Sequence, residues 1–125
     1  MGKAVPAPSP PARGDLYWID ASPGHGSGEP HPHLVLQEDV FNRSRIRTVI
    51  ACALTSNVGR AREPGNVLLE LGEGNLPRRS VIVVSQISAF DKSALGAYIG
   101  RLSEERVEQA LDGLRFQQAS FFTRS

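Results

Sequence analysis

Three histidines fall within nine residues of this chain, at His25, His31 and His33. A cluster of hydroxyl and amide groups, Thr55-Ser56-Asn57, closes a later apolar run, and Arg43, Arg45 and Arg47 lie between the two sets. Imidazoles exchange protons near neutral pH, hydroxyls donate hydrogen bonds to phosphoryl oxygens, and guanidinium forks hold anions. Together they are the groups needed to bind a phosphodiester and move a proton beside it. A polar loop with surface histidines on a small β domain would show the same residue types. Two other chemistries fit less well. His25, His31 and His33 lack a recognised zinc-ligand spacing, and no cysteine is near. Gly24, Gly26 and Gly28 lack the Lys-Ser/Thr of a phosphate-binding loop, and no helix follows them directly. Neither a metal nor another cofactor is expected.

The elements that must position these groups are short. Leu16-Tyr17-Trp18-Ile19 is aromatic and branched, which predicts a strand within residues 14–21. Residues 22–30 hold three glycines and two prolines and predict a mobile loop. His31-Pro32-His33 opens a second strand that continues through Leu34-Val35-Leu36, followed by one helical turn over residues 38–42. Residues 48–54 are almost wholly apolar and predict a central third strand. A charged loop is expected at 59–64, a fourth strand at 66–71 and a connection at 72–79. The strongest strand pattern is at 80–88, around Val81-Ile82-Val83-Val84. Alternation there sets Gln86 and Ser88 on one face, with Ser85 and Ile87 on the other. A helical turn at 90–95 and a last short strand at 97–102 follow. Ser103 then caps a helix whose Val107, Ala110, Leu111 and Leu114 make one apolar stripe, with Glu104 and Glu105 at its positive end. Five or six short strands with a terminal amphipathic helix predict a small, strongly curved sheet or barrel.

With 125 residues, the chain has room for one ordinary domain. Four prolines in residues 1–12, with no apolar core, read as a disordered leader, and residues 117–125 read as a tail carrying Phe121-Phe122. The net charge of +1 gives no general attraction to polyanions, but arginine supplies 12 of the 14 basic residues. They cluster at 43–47, at Arg60 and Arg62, and at Arg78 and Arg79, while acids gather at Glu104, Glu105, Glu108 and Asp112. That separation is compatible with one basic face. Cys52 is the single cysteine. It lies in an apolar run and reads as an inert buried thiol, in keeping with the reducing cytoplasm. No segment has the length of a membrane span, so no membrane association is expected.

Taken in order, Arg13-Gly14-Asp15-Leu16-Tyr17-Trp18-Ile19-Asp20, Pro23, Gly26-Ser27, Pro32, Leu34-Val35-Leu36, Leu54-Thr55-Ser56, residues 80–87, Asp91-Lys92, Ile99-Gly100-Arg101-Leu102 and the helix from Ser103 resemble the MazF/PemK toxins of bacterial toxin–antitoxin pairs. The resemblance covers about residues 13–116. It implies a mainly β fold with a C-terminal helix, a small SH3-like barrel that forms homodimers. It also implies a metal-independent endoribonuclease that cleaves single-stranded RNA by attack of the ribose 2′-OH, leaving a 2′,3′-cyclic phosphate and a 5′-OH. A cognate antitoxin would wrap the dimer and block the RNA groove.

One departure from the family pattern concerns the chemistry. The family's catalytic arginine, followed by proline at the start of the second strand, is His31-Pro32 here. The family's catalytic threonine is matched by Thr55. The loop ahead of His31 is about two residues shorter than in many members, and its acid is displaced to Glu29 in Gly26-Ser27-Gly28-Glu29. His31 and Thr55 are therefore the expected catalytic pair. RNA contacts are expected from His25, Ser27, Glu29, His33, Arg43, Arg45, Arg47, Ser56, Asn57 and Gln86. If the histidine does not support cleavage, the resemblance implies a same-fold toxin or partner-binding protein acting on a protein target such as gyrase.

Overall fold

Period-two alternation gives this chain a sheet with two differently used faces. A computed structural model describes residues 8–20 and 29–122, with side chains through residue 120. Its elements are β1 (Asp15–Ile19), β2 (His31–Val35), α1 (Asp39–Asn42), β3 (Thr48–Thr55), β4 (Val67–Leu69), β5 (Ser80–Asp91), β6 (Tyr98–Arg101), α2 (Glu104–Gln117) and α3 (Ala119–Phe122). The six strands form one antiparallel sheet in the order β4-β5-β3-β2-β1-β6. The sheet is curled and open, with β4 and β6 as its edges. The expectation of a mainly β fold with a C-terminal helix holds. The apolar run at residues 48–54 is central as expected, paired on both sides by β2 and β5.

One face carries Leu16, Leu34, Cys52, Leu54, Ile82 and Val84, and α2 covers it with Val107 and Ala110. Each fully buried Val or Leu there contributes about 1.5–3 kcal/mol. The expected stripe is the packed face of α2, since Leu111 and Leu114 also lie against this core. Ser103 caps the helix by accepting a hydrogen bond at Oγ from the Arg106 N–H, at 3.2 Å. The second face carries a smaller cluster of Tyr17, Ile19, Val35 and Val49, roofed by Phe90, Leu95 and Tyr98.

Two sequence expectations change. β5 runs on to Asp91, so Phe90 belongs to a strand and the helical turn is confined to Lys92–Ala94. Pairing of Val49 with Phe90 and of Thr48 with Asp91 holds the extension, and Asp91 stops it by accepting the Ser93 N–H. The charged loop expected at 59–64 overlaps a 3₁₀ turn, Val58–Arg62, opened by Asn57, whose Oδ1 accepts the Gly59 N–H.

β5 also breaks its alternation. Cys52 pairs with Ile87 and Leu54 pairs with Ile82, so residues 83–86 stand opposite Ala53 alone. Such an excursion bends the strand and re-aims its side chains. Its backbone groups find other partners. The Val84 N–H donates to Asn66 Oδ1 at 3.1 Å, and the Val83 carbonyl receives the Cys52 S–H.

Candidate active site

The bend of β5 opens a cleft of about 470 Å³ on the sheet beside the Tyr17–Val49 cluster. β2 supplies His31 and His33, β3 supplies Thr55, and the bent part of β5 supplies Ser85, Gln86, Ile87 and Ser88, with Phe90 beyond. Ser85 and Gln86 line the same cleft, contrary to simple alternation, because the strand turns between them and the regular ladder.

The pairing of β2 with β3 fixes the central geometry. His33 pairs with Ala53, Leu34 with Cys52 and Val35 with Ala51. His31 and Thr55 lie beyond the last of these pairs, and both line the cleft. Imidazole and hydroxyl groups far apart in the sequence are thus gathered in one cleft.

Each has a defined local setting. Thr55 is half-buried, and its Oγ1 accepts the Asn57 N–H at 3.1 Å. Its own hydroxyl proton is left to donate into the cleft. His31 is exposed at the start of β2. His33 is only 7% exposed. Its Nδ1 lies 2.9 Å from the His31 carbonyl oxygen, and its ring meets Phe90 edge-on at 5.0 Å. Burial lowers its proton affinity below that of an ordinary histidine, with the charge of His31 acting in the same direction and the hydrogen bond to the His31 carbonyl acting against them.

The cleft has two charged residues that sequence reasoning passed over. Asp20 follows β1 and is exposed at the rim. Arg60 reaches the lining from the 3₁₀ turn, and Glu63 grips its guanidinium at two points, 3.0 and 2.9 Å. Arg60 was visible in sequence only as part of a charged cluster. With Asp20 opposed to Arg60, the lining is balanced in charge rather than a basic groove.

The other expected contacts are dispersed. Asn57 and Ser56 follow Thr55 but do not line the cleft; Asn57 instead caps the turn that carries Arg60. Arg43, Arg45 and Arg47 are exposed in the turn ahead of β3, at the opposite end of that strand from Thr55. That turn is well built. Buried Asn42 donates to the Gln37 carbonyl and to Asp39 Oδ1, while Lys92 Nζ donates to the Asn42 and Ser44 carbonyls. Glu29 is exposed and outside the lining. His25 and Ser27 lie outside the described residues, as do the side chains of Phe121 and Phe122. Among the described residues, no three of His, Cys, Asp and Glu gather as a metal site, and no helix is long and apolar enough to cross a membrane.

Comparison with known proteins gives a consistent result. The chain is 39% identical over 106 residues to Endoribonuclease MazF6 of Mycobacterium tuberculosis, covering 83% of this chain and 93% of that protein. It is 35% identical over 109 residues to Endoribonuclease EndoA of Bacillus subtilis, covering 86% and 93%. In fold it is similar to a mycobacterial endoribonuclease solved in complex with its cognate antitoxin, with a TM-score of 0.68, 20% identity, and 89% and 95% of the two chains covered. The family model of PemK-like, MazF-like toxins matches residues 12–117. This chain, with His31 and Thr55 lining one cleft, belongs to the PemK-like, MazF-like toxins of type II toxin–antitoxin systems.

Proposed function

We propose that this toxin is an endoribonuclease that cleaves single-stranded RNA at the cleft between β2, β3 and β5. The observation that carries the reading is the meeting of His31 and Thr55 in one cleft, in a chain whose relatives at 35–39% identity are endoribonucleases. The reaction is an internal transesterification without a metal. The ribose 2′-oxygen attacks the adjacent phosphorus, the bond to the 5′-oxygen breaks, and a 2′,3′-cyclic phosphate and a 5′-OH result. It needs removal of the 2′ proton, stabilisation of charge on the phosphoryl oxygens, and a proton for the leaving oxygen.

Thr55 meets the second need, since its hydroxyl proton is directed away from the Asn57 N–H that it accepts. Arg60, held in place by Glu63, adds positive charge. His31 takes the position of the family arginine and replaces a permanent cation with a group that titrates. Ser85, Gln86 and Ser88 offer polar contacts to ribose and base edges. Arg43, Arg45 and Arg47, about 25 Å away along the eight residues of β3, meet phosphates that flank the scissile one.

Residues 13–116 are the working unit, an SH3-like barrel left open between β4 and β6 that acts as a homodimer in the cytoplasm. The partner that silences it is a cognate antitoxin covering the cleft. Incubation of the purified protein with mixed-sequence single-stranded RNA in EDTA, followed by end-group analysis, is the direct test. Cyclic phosphate and 5′-OH ends that disappear on addition of antitoxin are the expected result. Intact RNA would overturn the reading.

A further inference from the structure

We propose that His33, acting through Nε2, accepts the 2′-hydroxyl proton, and that His31 supplies the proton to the leaving oxygen. This inference rests on the nuclease reading above and goes beyond it by dividing the proton transfers between two histidines.

The hydrogen bond at His33 Nδ1 is the starting point. A carbonyl oxygen only accepts, so with the His31 carbonyl 2.9 Å away, Nδ1 must carry the proton. A neutral imidazole protonated at Nδ1 has its lone pair at Nε2. That nitrogen has no hydrogen-bond partner among the described residues. Nor is it sealed from solvent, because no buried side-chain nitrogen or oxygen in those residues lacks a partner. The accessible part of this nearly buried ring therefore includes the basic nitrogen, and His33 lines the cleft. Phe90 fixes the ring edge-on. The arrangement is that of a preoriented base.

Spacing supplies the second half. His31 and His33 are two residues apart on one strand and share a face, which separates them by about 7 Å. Thr55 lines the same cleft from the neighbouring strand. A phosphodiester seated against Thr55 has its attacking and leaving oxygens on opposite sides of phosphorus, within reach of one imidazole each. The charge of His31 also acts against protonation of His33. Burial makes His33 the neutral member, while His31 lies exposed at the start of β2. Neighbouring environments that drive two titrating groups apart are how one site holds both an acid and a base.

The step balances. The 2′ O–H proton passes to His33 Nε2 as the 2′-oxygen–phosphorus bond forms. The bond from phosphorus to the 5′-oxygen breaks, and that oxygen takes the proton of the His31 imidazolium. His33 is left protonated and His31 neutral, and exchange with water resets both. Among the described residues, the other ionisable groups around His33 are Tyr17 opposite it on β1, Asp20 just after β1, and Arg60 on the 3₁₀ turn with Glu63 just after it. Tyr17 is pushed up to about 12 by burial and stays neutral through the working range.

The test pairs two substrates with two sites. One is an oligoribonucleotide with a single cleavable phosphodiester; the other is the same molecule with its bridging 5′-oxygen replaced by sulfur. A thiolate leaves without a proton, so it needs the base and not the acid. His33→Ala and His33→Asn should lower the rate on both substrates by about 10²-fold or more and remove the acidic limb of the pH profile. The asparagine amide keeps a donor for the His31 carbonyl, so it separates loss of the base from loss of the hydrogen bond. His31→Ala should lose comparable activity on the oxygen substrate, lose the alkaline limb, and recover on the sulfur substrate. Histidine nitrogen NMR of the wild type should show Nε2 of His33 unprotonated at pH 7. Recovery of the His33 variants on the sulfur substrate, an unchanged acidic limb, or a protonated Nε2 would overturn the inference while leaving the nuclease reading intact. A wild type that cleaves neither substrate would overturn both.

Discussion

His31 on β2 and Thr55 on the adjacent antiparallel β3 line one cleft, although 24 positions separate them in the chain. Removing either should therefore damage the same step. His31→Ala is expected to lower kcat by about 10²-fold with RNA affinity within a few-fold. His31→Arg, which restores the family residue, should keep the charge and abolish the alkaline limb of the rate profile. Thr55→Ala should cost about 1–3 kcal/mol of transition-state stabilisation, and Thr55→Ser much less. Single-turnover kinetics between pH 5 and 9 checks all three. Equal rates for wild type and His31→Ala across that range would remove His31 from the chemistry.

Gly113 of α2 rests on the backbone of Gly65, and a Cβ at Gly113 would run into the Gly65 carbonyl oxygen. Gly113→Ala is therefore expected to destabilise the protein by about 1–3 kcal/mol through displacement of α2. The better helix propensity of alanine, about 1 kcal/mol, offsets only part of this. A lowered urea midpoint with an unchanged slope is the expected signature. An unchanged or raised midpoint would show that the helix shifts freely.

Burial of His33 also predicts how stability varies with acid. Its proton affinity is lower in the folded state than in the unfolded chain, so below about pH 6.5 the unfolded chain binds the proton first. The stability this site permits is complete above that pH and is lost as pH falls toward the lower, folded-state value. Wild type should weaken between pH 7.5 and 5.5, and His33→Leu should weaken less. Asp39, Glu63, Glu73 and Asp91 all lie below the ordinary carboxylate range, so their losses come at lower pH. Asp15, raised by burial, has the opposite sign near pH 4 and is common to both proteins. Urea titrations at the two pH values decide it. Parallel losses in the two proteins would assign the acid sensitivity elsewhere.

Val40, Phe41, Ile46 and Ile50 are large apolar residues left 40–61% exposed around α1 and the entry to β3. They should be covered in a homodimer. Sedimentation equilibrium at micromolar concentration is expected to give twice the 13.5 kDa chain mass, and Phe41→Glu to shift the population toward monomer. A wild type that sediments only as monomer would leave this surface without its proposed role.

The sequence-level reading succeeded where local pattern decides structure. The apolar run before Thr55 had to be a central strand, and the periodic Val107, Ala110, Leu111 and Leu114 had to pack as one helix face. It also placed His31, His33, Thr55 and Gln86 among the site candidates, and all four line the cleft. What local pattern does not carry is register between distant strands and the excursion of β5 opposite Ala53. Arg60 entered the cleft through a turn set by Asn57, whereas the denser arginine cluster at 43–47 was carried to the far end of β3. Charge density along the chain pointed to the wrong arginines for the cleft because three-dimensional proximity follows pairing, not spacing. Asp20, Ser85, Ser88 and Phe90 joined for the same reason.

The thiol of Cys52 lies in the sheet core with its affinity for a proton pushed up to about 12 by burial. At neutral pH it offers essentially no thiolate to an alkylating reagent while the sheet is closed. As the chain's single cysteine, it is a built-in clock for opening of β3 away from β5. Reaction with a thiol probe would report how often that core separates, without introducing a label, and would do so equally for the free toxin and for the toxin held by a partner.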